Sequence, residues 1–470
     1  MNYISTRGRA PKLGFEDVVL AGLARDGGLY LPESWPQFSP REIAALSGRS
    51  FAEVAVEIIA PFTGGAISRR ELLAMATDAY ASFGHKAVTP LVQVDTQTFI
   101  LELFHGPTLA FKDVAMQLLA RLMDHVLQKR GQRATIVGAT SGDTGGAAIE
   151  AFRSSSRVDV VILFPDGRVS DVQRRMMTTP KEKSVHAVAI KGTFDDCQAL
   201  VKAMFNDHAF RDGVRLSGVN SINWGRIVAQ VTYYFVAALA LGAPNRKVAF
   251  SVPTGNFGDI FAGYVARRMG LPIELLVIGS NQNDILPRTL QSGVYEMRGV
   301  VATSSPSMDI QISSNFERYL FEASGRDADL VGRQMQLLAQ GGRFELSPGQ
   351  REALQRDFAA GAAGEAEVAG TIRATLKESG YLLDPHTACG MAAMKTVASP
   401  PEVARVVLST AHPAKFPDAM QEITGSRPAL PPRLASLMTD KERYPVLDND
   451  LKDVEAFVAS VARAAAGGAA

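Results

Sequence analysis

One lysine, placed where a loop enters a predicted helix, has the sequence context of a reactive amine. In the segment HGPTLAFKDV at 105–114, the Gly-Pro pair interrupts any preceding element, because proline fixes its own φ and restricts the residue before it. From Lys112 to Val126, apolar residues recur at three- and four-residue steps, which predicts an amphipathic helix. The positive end of the helix dipole and partial burial beside Phe111 would both lower the pKa of this lysine. Lys112 is therefore a candidate Schiff-base nucleophile, although the segment alone fits an ordinary first-turn lysine better.

A glycine-rich turn between a predicted strand and a predicted helix is a candidate anion site. It reads GATSGDTGG at 138–146, and its backbone N–H groups together with the hydroxyls of Ser141 and Thr144 would suit a carboxylate or a phosphate. It matches neither a phosphate-binding loop ending in Gly-Lys-Ser/Thr nor the G-x-G-x-x-G pattern. A tight turn that needs glycine for positive φ is an equally good interpretation.

A second turn of this kind, PTGNFGD at 253–259, also follows a predicted strand and precedes a predicted helix. It could hold another anion, with Thr254 and Asn256 as side-chain donors. A dianionic phosphate would conflict with Asp259 unless that carboxylate points away. We therefore expect Asp259 to cap the helix, which is a common use of aspartate at such a position.

A third polar segment, STAHPAKF at 409–416, stands at the end of a predicted strand, where ligands of α/β sheets gather. Thr410 could hydrogen-bond the nitrogen of a heterocycle. His412 is expected to be structural rather than a base, and Lys415 is expected to be solvated. A nucleophilic lysine, a loop for a phosphate, a loop for a carboxylate and a hydroxyl for a ring nitrogen are together what pyridoxal 5'-phosphate requires.

The elements around these loops alternate between strand-like and helix-like patterns, which favours α/β layers on a mostly parallel sheet. The predicted strands lie at 99–104, 134–139, 158–164, 248–252, 274–278 and 404–409. The predicted helices of the same region lie at 113–129, 145–152, 227–241 and 259–269. An Ala/Gly-rich stretch at 359–370 could continue a helix, and 464–470 is expected to be a frayed tail.

Composition limits the classes of function. The 470 residues include 49 basic and 48 acidic side chains, a balance that gives no sign of a nucleic-acid footprint. The two cysteines, Cys197 and Cys389, are far apart in the chain, so neither a disulfide framework nor a thiolate metal site is expected. The apolar run 227–241 is too short and too interrupted to span a bilayer, and the first residues lack the apolar run of a signal peptide. These features predict a cytoplasmic protein without a nucleic-acid, membrane or metal partner.

The chain resembles the threonine synthases of bacteria and fungi, a resemblance that depends on a combination of motifs rather than on any one of them. The motifs are YISTRG at 3–8, DGGLYLP at 26–32, HGPTLAFKD at 105–113, SGDTGGAA at 141–148, NSINWGRI at 220–227, PTGNFGD at 253–259 and STAHPAKF at 409–416. The resemblance covers residue 3 to about residue 420. It implies an α/β, fold-type II pyridoxal-phosphate enzyme, similar to the tryptophan synthase β chain, with the cofactor between two α/β domains and a helical N-terminal unit.

The resemblance also implies roles for individual residues in binding the cofactor. Lys112 would form the Schiff base with pyridoxal 5'-phosphate. The cofactor phosphate would be held largely by backbone N–H groups, in the loop that contains Gly255, Asn256, Phe257 and Asp259. Thr410 would face the pyridine nitrogen as a neutral partner.

The reaction implied is the conversion of O-phospho-L-homoserine and water to L-threonine and phosphate, the last step of threonine biosynthesis. The substrate's own phosphate then needs a second site, for which the candidates are Ser141, Thr144, Asn220 and Arg226. Arg226 is plausible because a planar guanidinium matches a phosphate with two hydrogen bonds. A surface or helix-end arginine is nearly as good an interpretation, and Arg174-Arg175 is expected to lie on a solvated face.

Two alternatives are left open at this point. Another fold-type II lyase, such as a serine/threonine dehydratase or a sulfhydrylase, would share Lys112 and the glycine loops. A non-catalytic homologue that binds the cofactor is the other. The expected organisation is a helical unit at 1–90, a catalytic α/β region of two subdomains at 91–420, and a helical extension and tail at 421–470. The oligomer is expected to be a monomer or a homodimer.

Overall fold

A computed structural model describes residues 1–464, so the predicted tail, apart from its first residue, lies outside the described part. The strands are β1 (Tyr3–Ser5), β2 (Tyr30–Pro32), β3 (Leu91–Gln93), β4 (Thr98–Glu102), β5 (Ala134–Ala139), β6 (Val158–Pro165), β7 (Val185–Ile190), β8 (Leu216–Ser217), β9 (Val248–Pro253), β10 (Ile273–Ser280), β11 (Val294–Glu296), β12 (Arg343–Glu345), β13 (Phe358–Ala362), β14 (Ala404–Ser409) and β15 (Val446–Leu447).

The helices contain more residues than the strands. They are α1 (Phe15–Ala21), α2 (Pro40–Ala44), α3 (Phe51–Thr63), α4 (Arg69–Ala81), α5 (Lys112–Lys129), α6 (Asp143–Phe152), α7 (Asp171–Thr178), α8 (Phe194–Asn206), α9 (His208–Gly213), α10 (Trp224–Ala240), α11 (Gly258–Arg268), α12 (Ile285–Ser292), α13 (Phe316–Ala323), α14 (Ala328–Gly341), α15 (Pro348–Asp357), α16 (Glu365–Ser379), α17 (Pro385–Lys395), α18 (Pro417–Thr424) and α19 (Leu451–Val461). Within residues 1–464, no helix is both long enough and apolar enough to cross a membrane.

The N-terminal unit is mainly helical, as predicted, and its helix starts follow from local sequence. Helices α2, α3 and α4 each begin after a serine, Ser39, Ser50 or Ser68, whose side chain accepts from the backbone three residues on, where a glutamate reaches back. This capping box pairs two otherwise free amide groups. The unit also contains one short antiparallel pair of strands, β1 with β2.

The N-terminal unit packs against the start of α10, the helix that contains Arg226. The rings of Tyr3, Trp35 and Phe62 surround Trp224, the first residue of α10, at centroid distances of 5.8, 6.1 and 5.7 Å. Trp224 is fully buried. The first turn of α10 is therefore held by aromatic packing from the N-terminal unit.

Beyond the N-terminal unit, the strands form two mainly parallel sheets and one short antiparallel pair, β11 with β12, and the predicted strands are confirmed. One sheet has six strands in the order β13-β10-β9-β14-β4-β3, antiparallel only where β3 meets β4. The other has five parallel strands in the order β15-β7-β6-β5-β8. The three polar loops of the sequence analysis follow the carboxyl ends of β5, β9 and β14, where α/β sheets place their ligands.

The expectation that residues 359–370 continue a helix is wrong. Strand β13 occupies 358–362 and pairs in parallel with β10, and helix α16 begins only at Glu365. The small residues serve close packing: a Cβ at Gly361 would lie 3.0 Å from the Cα of Ala393, on α17. Strand propensity is low in this stretch, so the pairing with β10 decides its conformation.

The C-terminal segment belongs to the five-stranded sheet, and this corrects the expectation for Arg174-Arg175. Strand β15 pairs with β7, and Val454 and Val458 of α19 are buried against the same layer. Arg174 donates to Glu442, with its Nε 2.8 Å from Oε1, and Arg175 donates to main-chain carbonyls of the same segment. The two arginines are therefore docking groups rather than members of a solvated face.

We expect that replacing Arg318 with methionine lowers the apparent melting temperature by several degrees. This buried guanidinium joins three parts of the chain: Nε donates to Tyr30 O at 3.1 Å, one terminal nitrogen donates to Ile222 O at 2.6 Å, and the other donates to the side chain of Asn315. Removing it leaves these buried acceptors without a donor, at a cost of about 1–3 kcal/mol each. Thermal unfolding followed by circular dichroism measures the change. The exposed Arg70 on α4, changed to methionine, is the control and should leave the melting temperature unaltered.

Candidate active site

Lys112 lies where the sequence predicts it, at the first residue of α5, and it is buried. The preceding loop is held by Asp113, whose carboxylate accepts from the amide and the hydroxyl of Thr108 at 2.8 and 2.7 Å. Burial raises the pKa of Asp113 to about 6. The amide of Phe111 donates to Thr410 O at 2.8 Å. This backbone contact brings the loop that ends at Lys112 against the loop that follows β14.

Lys112 lines a cavity of about 580 Å³, whose other lining residues come from both sheets and from the N-terminal unit. Nine of the ten predicted site residues line it, namely Lys112, Thr144, Asn220, Arg226, Gly255, Asn256, Phe257, Asp259 and Thr410. Ser141 is half-buried and does not line the cavity. Residues far apart in the sequence are therefore brought together, which the separate loop patterns could not establish.

The loop after β9 presents unpaired amide groups to this cavity. Among the described residues, no acceptor is bonded to the N–H groups of residues 255–258, which precede or begin α11. Phe257 adopts a left-handed conformation, with φ of 59°, and its ring packs against Phe316 and Phe358. The side chain of Phe257 thus packs in the core, although the residues of the loop line the cavity. Such an array of amides at a helix start binds anions.

The expectation that Asp259 caps α11 is wrong. It is the second residue of the helix, and its Oδ1 accepts from the buried hydroxyl of Tyr234 at 2.9 Å and from that of Tyr233. Its Oδ2 has no partner among the described residues. Burial raises the pKa of Asp259 to about 6, against the two tyrosine hydrogen bonds, which lower it. The carboxylate therefore joins α11 to α10 through these two hydrogen bonds.

Asp143, a residue that the sequence analysis did not single out, is the counter-ion of Lys112. Its Oδ2 lies 3.2 Å from Lys112 Nζ and its Oδ1 lies 2.6 Å from Lys415 Nζ. Lys415 is 1% exposed, so the expectation that it is solvated is wrong. Burial alone would raise the pKa of Asp143, but Lys415 and Lys112 hold it well below its usual value.

The pKa of Lys112 is lowered, as the sequence predicts, and burial is the largest cause. Asp143 acts in the opposite direction, whereas the positive charges of Lys415 and Arg226 lower the pKa further. The ring of Phe111 lies 5.0 Å from Nζ. The amine is thus placed in an environment that favours its neutral, nucleophilic form.

Ser307 and His386 are two further cavity residues that the sequence did not reveal. Ser307 Oγ donates to Asp143 Oδ2 at 3.1 Å and lies 3.5 Å from Lys112 Nζ. The amide of Ser307 donates to His386 Nε2 at 3.2 Å, and Asp384 lies 2.8 Å from His386 Nδ1. His386 therefore fixes Ser307 against the amine.

His412 is structural, as expected: burial lowers its pKa to about 4, and its Nδ1 accepts from the amide of Ala414.

Arg226 is a buried cation with unused hydrogen-bonding capacity. It is 2% exposed, one terminal nitrogen donates to Val219 O at 3.3 Å, and Nε has no partner among the described residues. Burial lowers the pKa of Arg226 to about 10. A buried cation that lines a cavity in this way is suited to an anionic ligand, because a charge left unpaired in the interior is costly.

Comparisons with known proteins agree with this geometry. Two family profiles, described as the threonine synthase N terminus and the threonine synthase C-terminal part, match residues 2–80 and 387–458. The profile of pyridoxal-phosphate-dependent enzymes matches residues 83–409. A threonine synthase of Pseudomonas aeruginosa is 51% identical over 97% of this chain and 98% of its own length. The chain belongs to the threonine synthase family.

Solved structures of threonine synthases have the same fold as this member of the family. The structure of the Brucella melitensis threonine synthase, described as bound to PLP, superposes with a TM-score of 0.96 at 61% identity, covering 98% of this chain and all of the other. The yeast enzyme superposes with a TM-score of 0.92 at 40% identity, covering 98% of each chain. The family resemblance and the fold class inferred from the sequence are confirmed.

The residues present fit pyridoxal phosphate, which the family uses as its cofactor. Four free amides at 255–258 suit its phosphate, and the loop is closely packed at its first residue, because a Cβ at Gly255 would lie 3.0 Å from Ser307 O. The cavity also contains the buried amine of Lys112 and the neutral Thr410. In the described part of the chain, no cluster of three or more His, Cys, Asp or Glu side chains is arranged to hold a metal ion.

Proposed function

We propose that this member of the threonine synthase family converts O-phospho-L-homoserine and water to L-threonine and phosphate at the Lys112 cavity. The observation that carries the proposal is the pairing of a buried amine with two separate anion-binding groups in one cavity. The amides of 255–258 would hold the cofactor phosphate, and Arg226 would hold the substrate phosphate. A lyase that acts on an unphosphorylated amino acid would offer Arg226 only a carboxylate, whereas O-phosphohomoserine offers a phosphate that a guanidinium can bind with two hydrogen bonds.

The chain's own residues provide the proton transfers. When bound, pyridoxal phosphate supplies the electron sink that stabilises negative charge at the substrate Cα. Lys112 Nζ would accept the proton from Cα, because burial lowers its pKa and so favours the neutral amine that can act as a base. Thr410, which lines the cavity, would be a neutral partner for the ring nitrogen, and unlike a carboxylate it would not strongly hold that nitrogen protonated. Such a partner would weaken the electron sink and disfavour transamination.

The remaining polar groups orient the substrate. Thr144 and Asn220 line the cavity and are candidate donors to the substrate's carboxylate or phosphate, beside Arg226. Ser141 does not line the cavity, so its hydroxyl is a poorer candidate for contact with the substrate than those of the lining residues. Residues from both sheets line the cavity, and such a site would orient the substrate relative to the groups that react with it.

The direct test is to incubate the purified protein with O-phospho-L-homoserine and to measure phosphate and threonine together. We expect both products in equal amounts. The rival lyase makes a different prediction, the release of 2-oxobutyrate and ammonia from threonine. If 2-oxobutyrate forms from threonine much faster than threonine forms from O-phosphohomoserine, the proposed function is wrong. A non-catalytic homologue would give neither reaction.

We also propose that the enzyme acts in the cytoplasm, as a monomer or a homodimer. The two cysteines are buried and unbonded, and burial raises the pKa of each thiol to about 12. Thiols in this state suit a reducing compartment. Size-exclusion chromatography with light scattering tests the oligomer, and a higher assembly would contradict the proposal.

A further inference from the structure

Asp143 lies between two buried lysines, and this arrangement raises a question of charge. Its Oδ2 faces Lys112 Nζ at 3.2 Å, and its Oδ1 faces Lys415 Nζ at 2.6 Å. Gln173 Nε2 also donates to Oδ1, at 2.9 Å, so the carboxylate is held from both ends. Lys415 Nζ in turn donates to Thr108 O at 2.7 Å, in the loop that leads to Lys112.

A carboxylate paired only with Lys112 would oppose the chemistry of that lysine. An opposite charge at this distance stabilises the ammonium form, whereas a nucleophile and a base at Cα must be neutral. Lys415 supplies a second positive charge on the other oxygen, so the ion pair Asp143–Lys415 is neutral as a unit. The pair retains the hydrogen-bonding geometry at Lys112 without the full negative charge.

We propose that Lys415 is a positioning residue that neutralises Asp143, so that Lys112 reacts as a free amine. The inference deepens the proposed function and rests on the role of Lys112 in it. Lys415 itself contacts Asp143 and the loop at Thr108 rather than the cavity, so its effect on Lys112 passes through the carboxylate.

Other charged and titratable groups face Lys112 from the neighbouring elements. Arg226 on α10 disfavours the ammonium form of Lys112, and Asp259 on α11 favours it. His386 on α17 is held by Asp384, and Asp113 on α5 itself is held by Thr108. These groups are the same in all variants at Asp143 and Lys415. They therefore affect the pKa of Lys112 in the wild type but not the differences in that pKa between variants.

The test is a charge cycle at Asp143 and Lys415 that reports on Lys112. The full-length protein is freed of cofactor, pulsed with acetic anhydride at a series of pH values, and the labelling of Lys112 is read by peptide mass spectrometry. We expect K415M to raise the midpoint of Lys112 labelling by about one pH unit or more, and D143N to lower it by a similar amount. The double variant D143N/K415M should return the midpoint close to that of the wild type.

A second readout uses the protein with its cofactor, in which the pH dependence of the visible absorption band should move in the same directions. K415R keeps the charge and should keep the wild-type midpoint. A native K415M protein with an unchanged midpoint, or a double variant that stays at the K415M value, overturns the proposal. If K415M does not fold, D143N decides, since an unchanged or raised midpoint there is incompatible with the proposal. Turnover of O-phosphohomoserine by the wild type tests the function separately.

Discussion

Changing Lys112 to alanine is expected to abolish both the visible absorption band of the protein and its production of threonine. Lys112 is the buried amine of the cavity, at the start of α5 and beside the amide-lined loop at 255–258. Alanine can neither bond covalently to the cofactor aldehyde nor take up the proton from Cα. The loss combines nucleophilic and general-base contributions, so kcat should fall by at least about 1,000-fold. Absorption spectra of the reconstituted protein and a coupled phosphate assay measure the two losses.

A matched control for this variant is Lys377→Ala, because Lys377 is an exposed lysine on α16. It should retain the band and full activity. The Lys112→Ala protein should also keep its far-ultraviolet circular dichroism, since the change removes a side chain from a cavity wall. A variant with the original band and activity would exclude Lys112 from the reaction.

Changing Arg226 to methionine is expected to weaken binding of the substrate and to stabilise the ligand-free protein. The KM for O-phosphohomoserine should rise about 100-fold, because a phosphate loses charge-assisted hydrogen bonds worth about 1.5–3 kcal/mol each. In the absence of ligands, the variant should melt at a temperature a few degrees higher than the wild type. The reason is that burial disfavours this guanidinium charge, as the lowering of its pKa to about 10 indicates, and methionine removes the cost.

The control is Arg70→Met, which removes an exposed arginine from α4 and should change neither KM nor melting temperature. The cofactor band of the Arg226→Met protein shows whether Arg226 binds the phosphate of the substrate or the phosphate of the cofactor. If the protein binds substrate normally but binds pyridoxal phosphate weakly, Arg226 serves the cofactor phosphate instead. Steady-state kinetics, with inorganic phosphate as a competing anion, together with a cofactor titration separate these outcomes.

Local sequence was sufficient wherever one segment decides its own structure. The Gly-Pro pair and the apolar periodicity after it predict a helix that begins near Lys112, and α5 begins there. Strands β5 and β14 have the predicted bounds, because each is a short run of apolar residues bounded by polar turns. The choice of Lys112, Asn256 and Thr410 as neighbours also came from the sequence, through the family resemblance as much as through the loops.

The errors about individual side chains share one cause, which is that burial of a polar side chain depends on partners elsewhere in the chain. Lysine is usually solvated, so Lys415 was expected on the surface. Asp143 was overlooked because nothing within SGDTGG distinguishes a counter-ion from a turn residue. The sequence nevertheless contains a signal for the role of Asp143, because a carboxylate within an anion-binding turn is unfavourable unless a cation neutralises it.

The sequence by itself determined the bounds of β5 and β14 and the start of α5, singled out Lys112 as the candidate nucleophile, and indicated to which family the chain belongs. These properties depend on periodicity, turn residues and motifs that are contiguous in the chain. Only the tertiary structure decided that Asp143 joins Lys112 to Lys415, that Asp259 bonds the tyrosines of α10, and that 358–362 is a strand. Each of these depends on the free energy of placing charges or backbone groups beside distant partners in the interior, and that energy does not exist until the chain has folded.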